Sequence, residues 1–523
     1  MYLIQLHFKL EVSRLAYIAY STQKKNGAIY ATLAESVRSG NHVRQRKIEN
    51  LGRVIDKEQG IFQNRVRGKF KYTLADGFQA LEPEIIDTYS KCQDEEKLNL
   101  AFGDAYVLDK YMRSLPFYDA YQNLMESDSD TLFSLLLFKM IETKKAYQYA
   151  KTWWSNSYAC QLFPNAKIEG QRISEFLEKL GSEASQRRFF NAYLPSLYDE
   201  SNTMPSVLID STGLQNASKM QLTQLCNHNG EAHTEIRLIY VCDRENGQPL
   251  YFRYNPGNIV DVTTLRTTIA ELNQYAISVK YAIVDSGYFS EKNILQLYEN
   301  EIPFLTRIGT NRLIYKNALQ EGLPGLLSSK YSVEYGKRLV YLKKLETDVY
   351  GNKGYVYLGI DFDSRNEKFK QNLFRLKEDK EDFEQIDREM AKLGAFVLLS
   401  SESMECKDVL PLYYTRQKIE QIFDVGKNNA DLLPLRTHKE ETFCGHIMLT
   451  FMATIILHML QRELILKRKK TDKINPEGAI YELKQQRCKV FEKNIIPQEA
   501  ARAANEVYRI LGIEYPITIP KSM

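Results

Sequence analysis

The chain of 523 residues has seven cysteines, and no two of them stand in C-x-x-C spacing. That excludes a zinc ribbon or a disulfide framework as the organising device and fits a reducing compartment. Tryptophan is nearly missing, with only Trp153 and Trp154. The pair reads as core filling rather than as a platform for stacked bases. No apolar run reaches the roughly 20 residues that span a bilayer. The longest, IMLTFMATIILHML (447–460), carries His458 and predicts a buried core helix. A single charge sign does not dominate either. The net charge of +4 neither demands nor excludes a polyanionic partner, so local clustering has to decide. No secretory signal is evident. The opening MYLIQLHFKLEVSRLAYIAY alternates apolar and polar residues and reads as a strand. A cytoplasmic protein without membrane association is expected.

What is present is a hydrophobic fraction of 44%, enough for sizeable cores, in a length that predicts two to four domains. Residues 1–72 form a small basic unit. Between Arg38 and Lys71 there are ten Lys or Arg against Glu49, Asp56 and Glu58, concentrated in VRQRKIENLGRV. Such a stripe can neutralise phosphates, although it also suits a solvated face. Residues 73–203 carry apolar side chains at three- and four-residue spacing and read as helices. The period changes over 204–309. PSVLID is an apolar run ending in an acid, TEIRLIYVCDRENGQPLYFRYNPG is a hairpin turning at 243–247, and helix, strand, helix and strand follow. This order predicts a mixed α/β sheet. Residues 310–393 interrupt it with short Tyr- and Lys-rich strands and the charged helix NEKFKQNLFRLKEDKEDFEQIDREMAKL. GAFVLLS resumes the sheet at the head of 394–470, and 471–523 reads as a carboxyl-terminal helical region.

Asp210 and Asp285 share a setting. Each ends an apolar run and precedes a small turn, Ser211-Thr212-Gly213 or Ser286-Gly287. Strand ends are where open α/β sheets place their sites, although one acid there is as readily a helix cap. A third acid stands in YYTRQKIEQIFDVGKNN. On one continuous helix, Tyr413, Arg416, Glu420 and Lys427 would share an arc of roughly 60° beside the apolar face of Leu412, Ile419, Ile422 and Phe423. Ordinary helix ion pairs would also produce that pattern. Three gathered carboxylates repel one another, and Mg²⁺, which takes oxygen ligands, explains why they would be gathered. CNHNGEAH (226–233) lacks a second ligand pair and is a poor zinc site.

With these residues in view, VLIDST, AIVDSGYFSEKNI and the Y-x2-R-x3-E-x6-K helix resemble the three signatures of bacterial insertion-sequence DDE transposases. The branch is the IS-four-like one, with a mostly β insertion before the glutamate. The resemblance implies an RNase H-like core of mixed sheet and flanking helices. Asp210, Asp285 and Glu420 would be its catalytic acids, ligating two Mg²⁺ or Mn²⁺ ions. Tyr413, Arg416 and Lys427 would contact DNA, with Arg307 and Lys292 as further contacts, and 73–203 would be a helical DNA-binding domain. The partners implied are double-stranded DNA, as terminal inverted repeats and target, and a second copy of the chain in a homodimer on DNA. A nucleoid-associated enzyme follows. Some relatives stack a flipped base on a tryptophan of the insertion. Here 310–393 has none, leaving Tyr331, Tyr335, Tyr341, Tyr350, Tyr355 or Tyr357 for that task. The alternatives are a catalytically silent DNA-binding derivative and another RNase H-like nuclease.

Overall fold

Alternating side chains between turn residues build an antiparallel sheet at the start of the chain. Its strands are β1 (Ala16–Thr22), β2 (Ile29–Ser39), β3 (His42–Asp56), β4 (Ile61–Asn64), β5 (Gly68–Thr73) and β6 (Gly77–Ala80), each paired with the next. Leu33, Leu51, Phe62, Phe70 and Tyr72 fill its small core. Gly52 is required where β3 bends over β4. Its φ is +88°, and a Cβ there would lie 2.1 Å from the Gln63 carbonyl oxygen. The structure, a computed structural model, describes residues 16–81, 98–198, 205–366 and 392–521, apart from 24–26, 40, 41, 229, 230, 276, 364, 431, 434, 436, 438, 471, 473 and 475–477. Residues 1–15 of the opening strand reading, and all but the ends of the charged helix read at 366–393, lie outside the described residues. Two compact units divide the chain between Lys97 and Leu98, and the sheet just described belongs to the first.

The second unit is built round a mixed sheet. Its strands are β8 (Ser206–Gln215), β9 (Gln224–His228), β10 (Glu231–Asp243), β11 (Pro249–Pro256), β12 (Tyr281–Val284), β13 (Phe304–Arg307), β14 (Ser332–Tyr335), β15 (Arg338–Val349), β16 (Asn352–Asp361) and β17 (Ala395–Ser400). Strand β7 (Leu98–Ala101) opens the unit in a separate small sheet with β18 (Arg487–Val490), β19 (Asn494–Pro497) and β20 (Ile519–Pro520). The carboxyl-terminal region, read as helical, therefore also carries three strands beside its helices Ala479–Lys484 and Arg502–Leu511.

In the central sheet the order is β11-β10-β8-β12-β13. Strand β10 runs antiparallel to both of its neighbours, β11 and β8, while β8, β12 and β13 run parallel. Helices Leu265–Gln274 and Glu291–Glu299 make the crossovers into β12 and β13. That is a mixed α/β sheet with crossover helices, as the order of elements predicted. Strand β17 pairs antiparallel with β13, and β16, β15 and β14 continue outward from it. The strands of 310–393 thus lengthen the same sheet.

The apolar run at 447–460 lies in a 28-residue helix, Glu440–Lys467. It is the one helix among the described residues long and apolar enough to cross a bilayer, and it is buried: Ile447, Leu449, Phe451 and Ile455 have no exposed surface. The helix Gly170–Leu180 lies against it at glycine contact. A Cβ on Gly445 would fall 1.9 Å from the Leu177 carbonyl oxygen, and one on Gly181 2.3 Å from the Gly445 nitrogen.

Candidate active site

Asp210 does not end its strand. Strand β8 continues to Gln215 because the long β10 supplies partners throughout, Tyr240 opposite Asp210 and Ile236 opposite Leu214. The Ser211-Thr212-Gly213 segment read as a turn is therefore strand. On its other edge β8 loses its parallel neighbour at the Ile209–Val284 pair. Asp210 and Asp285 are the next residues on each chain, so they stand side by side at the carboxyl end of β12. Asp285 leads into a 3₁₀ turn, Ser286–Tyr288, as its sequence setting suggested.

The third acid arrives on a broken helix. Cys406–Tyr414 ends, Gln417–Asp424 begins, and Lys427 lies in a π-helical turn, Val425–Asn429. One continuous helix was expected. At the junction the backbone tightens to three-residue hydrogen bonds, from the Thr415 nitrogen to Leu412 and from the Arg416 nitrogen to Tyr413. The Thr415 hydroxyl also donates to the Leu412 carbonyl at 2.7 Å. Ile419, Ile422 and Phe423 still face the core, and Gln417, Gln421 and Asp424 face solvent.

The break leaves the four side chains converging. The Arg416 guanidinium donates from Nη1 to Asp210 Oδ2 at 2.7 Å and from Nη2 to Glu420 Oε1 at 2.9 Å, and Nη1 lies 3.8 Å from Asp285 Oδ2. One cation thus meets three carboxylates brought by two strands and a helix. The Tyr413 hydroxyl donates to Asp285 Oδ1 at 3.3 Å, and the Lys427 ammonium to Thr212 Oγ1 at 2.6 Å. Arg307 is exposed at the end of β13, close enough for its charge to act on Tyr413. Lys292 is exposed on Glu291–Glu299 and makes no ion pair with the acids among the described residues.

Burial grades the acids. The Asp210 side chain is 14% exposed, Asp285 35% and Glu420 52%. Desolvation pushes the Asp210 carboxyl up to about 6, against the pull of Arg416 and of the Ser211 N–H on Oδ1 at 2.9 Å. Burial also raises the Tyr413 hydroxyl, with the Asp285 charge adding to it, and lowers the Lys427 ammonium. No group of three or more His, Cys, Asp and Glu side chains suited to a metal occurs among the described residues. At the acids, the Arg416 guanidinium occupies the space between them.

Several residues of this site were not read from the sequence. The Asp261 carboxylate accepts from the Ser211 hydroxyl at 2.7 Å and lies 3.8 Å from the Arg237 guanidinium, which is buried with Glu235 at 3.3 Å. Gly213 makes room for that pair, since a Cβ there would meet Glu235 Oε2 at 2.1 Å. The signal was an acid placed between the Pro-Gly-Asn turn and an amphipathic helix. In the insertion, Tyr357 is fully buried and its hydroxyl donates to the Met404 carbonyl, so its ring cannot stack on a base. Tyr335 stacks on Tyr414 at 4.9 Å between centroids, next to Tyr413.

Comparison with known proteins adds three findings. Residues 202–456 match the family described as "Transposase DDE domain", and residues 18–76 match "IS1634 family transposase, N-terminal domain". The second match carries the IS1634 name, not that of the IS-four-like branch which the Y-R-E-K helix resembles. No curated protein matches the chain. Among solved structures, the piggyBac transposase synaptic complex with hairpin DNA is similar at 11% identity with a TM-score of 0.39, over 68% of this chain and 70% of that one.

Proposed function

The chain belongs to the insertion-sequence DDE transposases, enzymes that bind DNA and depend on divalent metal, and on that premise we propose which residues do the work. Asp210, Asp285 and Glu420 are the acids that hold two Mg²⁺ or Mn²⁺ ions. Tyr413, Arg416 and Lys427 hold the strand being cut, with Arg307 and Lys292 along its path. The protein acts in the cytoplasm on the nucleoid, as a homodimer that pairs the two ends of its element.

The observation that supports this reading is the Arg416 contact with all three carboxylates. Oxygen donors from three elements converging on one positive centre form the set a hard divalent cation takes. Bound there, such ions would activate the attacking oxygen and stabilise the leaving one. The side chains prepare that chemistry. The Ser211 N–H and the Tyr413 hydroxyl orient the two aspartates. With the acids neutralised, the Arg416 fork would be free for a phosphate, which it can grip at two oxygens. Lys427, seated on Thr212, adds a second positive point beside β8.

Cleavage of the DNA flanking the gene tests this. Purified protein with Mg²⁺ should cut at the element's inverted-repeat ends and leave 3′-hydroxyls that join to target DNA. Asp210→Asn, Asp285→Asn and Glu420→Gln should each lower cleavage by about a thousandfold or more while keeping DNA affinity. Full activity in any one of them removes that acid from the set.

A further inference from the structure

Strands β8 and β12 do not by themselves fix how far apart Asp210 and Asp285 stand. Their pairing ends at Ile209–Val284, one residue short of both acids. A third segment, the 3₁₀ turn Asp261–Thr263, continues the connection. Asp261 Oδ1 accepts from the Ser211 hydroxyl at 2.7 Å, and the Ser211 N–H donates to Asp210 Oδ1 at 2.9 Å. Asp261 Oδ2 lies against the turn that follows Asp285, 3.4 Å from where a Cβ on Gly287 would stand. The buried Asn293 amide joins the two turns, donating to the Val262 carbonyl at 2.7 Å and to the Tyr288 carbonyl at 2.8 Å. Side chains alternate along β8, so Ser211 and Gly213 face away from Asp210 and Thr212. Asp210 meets Arg416 and Thr212 meets Lys427 on one face, while Ser211 meets Asp261 and Gly213 lies against Glu235 on the other. A fourth carboxylate so near the other three needs a counter-charge. The buried Arg237 guanidinium supplies it at 3.8 Å while keeping Glu235 at 3.3 Å.

We propose that Asp261 is a positioning residue: through Ser211 and the turn after Asp285 it fixes the separation of Asp210 and Asp285, and so sets their affinity for divalent metal. The inference rests on the proposed reading of those two acids as metal ligands. Mg²⁺ takes its oxygens at about 2.1 Å in a near-octahedral array, so a small shift of either acid weakens its hold. Groups that orient metal ligands through hydrogen bonds contribute about 10–100-fold in affinity. Here the hydrogen bond carries the effect, not the charge. Ser211 needs only an acceptor, which the oxygen of an asparagine amide also offers. Arg237 would then keep Glu235 as its partner.

Mn²⁺ titration of the full-length protein, followed by electron paramagnetic resonance, tests it. Asp261→Ala should weaken Mn²⁺ binding by about tenfold, and Ser211→Ala, which keeps the N–H, should do nearly the same. The two combined should bind no more weakly than either alone, because they break one connection. Asp261→Asn should stay near wild type. DNA cleavage by Asp261→Ala should recover at raised Mg²⁺, which a misfolded site would not do. Wild-type affinity in Asp261→Ala would overturn the proposal while leaving the acids as metal ligands. So would a loss in Asp261→Asn as large as that in Asp261→Ala, or losses that multiply in the combined variant. Wild-type protein that binds no Mn²⁺ would instead count against the reading of the acids on which the proposal depends.

Discussion

Arg416 answers two demands at the residue scale. Without metal its guanidinium is the counter-charge that lets Asp210, Asp285 and Glu420 stand together. On the proposed reading, metal at the acids would leave it free for the DNA. Replacing it by alanine leaves three carboxylates repelling, so added Mg²⁺ should raise the thermal midpoint of Arg416→Ala more than that of wild type. An equal rise in both would mean that Arg416 does not balance the acids. Lysine should not restore cleavage, because it lacks the planar fork. His458 gives a pH dependence away from the acids. Its Nε2 lies 3.1 Å from the Asn246 carbonyl, and burial first, then Arg462 and Lys418, lowers its ring to about 4. The unfolded chain takes a proton near 6.5 and the folded one does not, so stability present above 6.5 is lost as pH falls toward 4. Urea unfolding across that range should show a shallower fall for His458→Gln, and an unchanged curve would contradict it. At this scale the sequence was informative. The strand-end setting of Asp285 and the Y-R-E-K spacing were visible. Asp261 and Arg237 were not, because a close pair from two elements leaves no spacing to read.

At the scale of elements, local periodicity went further than local geometry. The alternating and three-four patterns placed strands β10, β11 and β12 and the buried helix 440–467. They could not show the break at Thr415–Arg416, where a side-chain hydroxyl competes for a backbone carbonyl, nor the run of β8 past Asp210, which β10 dictates. Helix contact is equally silent in sequence. Gly445 and Gly181 let two helices meet at backbone distance, and Gly445→Ala drives a methyl into the Leu177 carbonyl. The expected cost is about 1–3 kcal/mol, read as a lower urea midpoint with an unchanged slope. An unshifted midpoint would show that the helices can part freely.

For the whole molecule, the sequence conveyed an α/β core with strands interrupting it, but not that those strands lengthen the core's own sheet. Sheet order is set by pairings between residues far apart in the chain, and both β17 edges look alike from sequence. The packing of β14 on helix 406–414, through Tyr335 and Tyr414, brings the insertion to the rim of the acids. Groups from β8, the end of β12 and the Arg416–Glu420 segment thus meet at one place, and the proposed function rests on the carboxylate trio that unites them. Mn²⁺ titration followed by electron paramagnetic resonance tests that trio most directly. Wild-type protein should bind two ions per chain, and the combined Asp210→Asn, Asp285→Asn, Glu420→Gln variant should bind neither at the same concentrations. Undiminished Mn²⁺ binding in that variant would contradict the account.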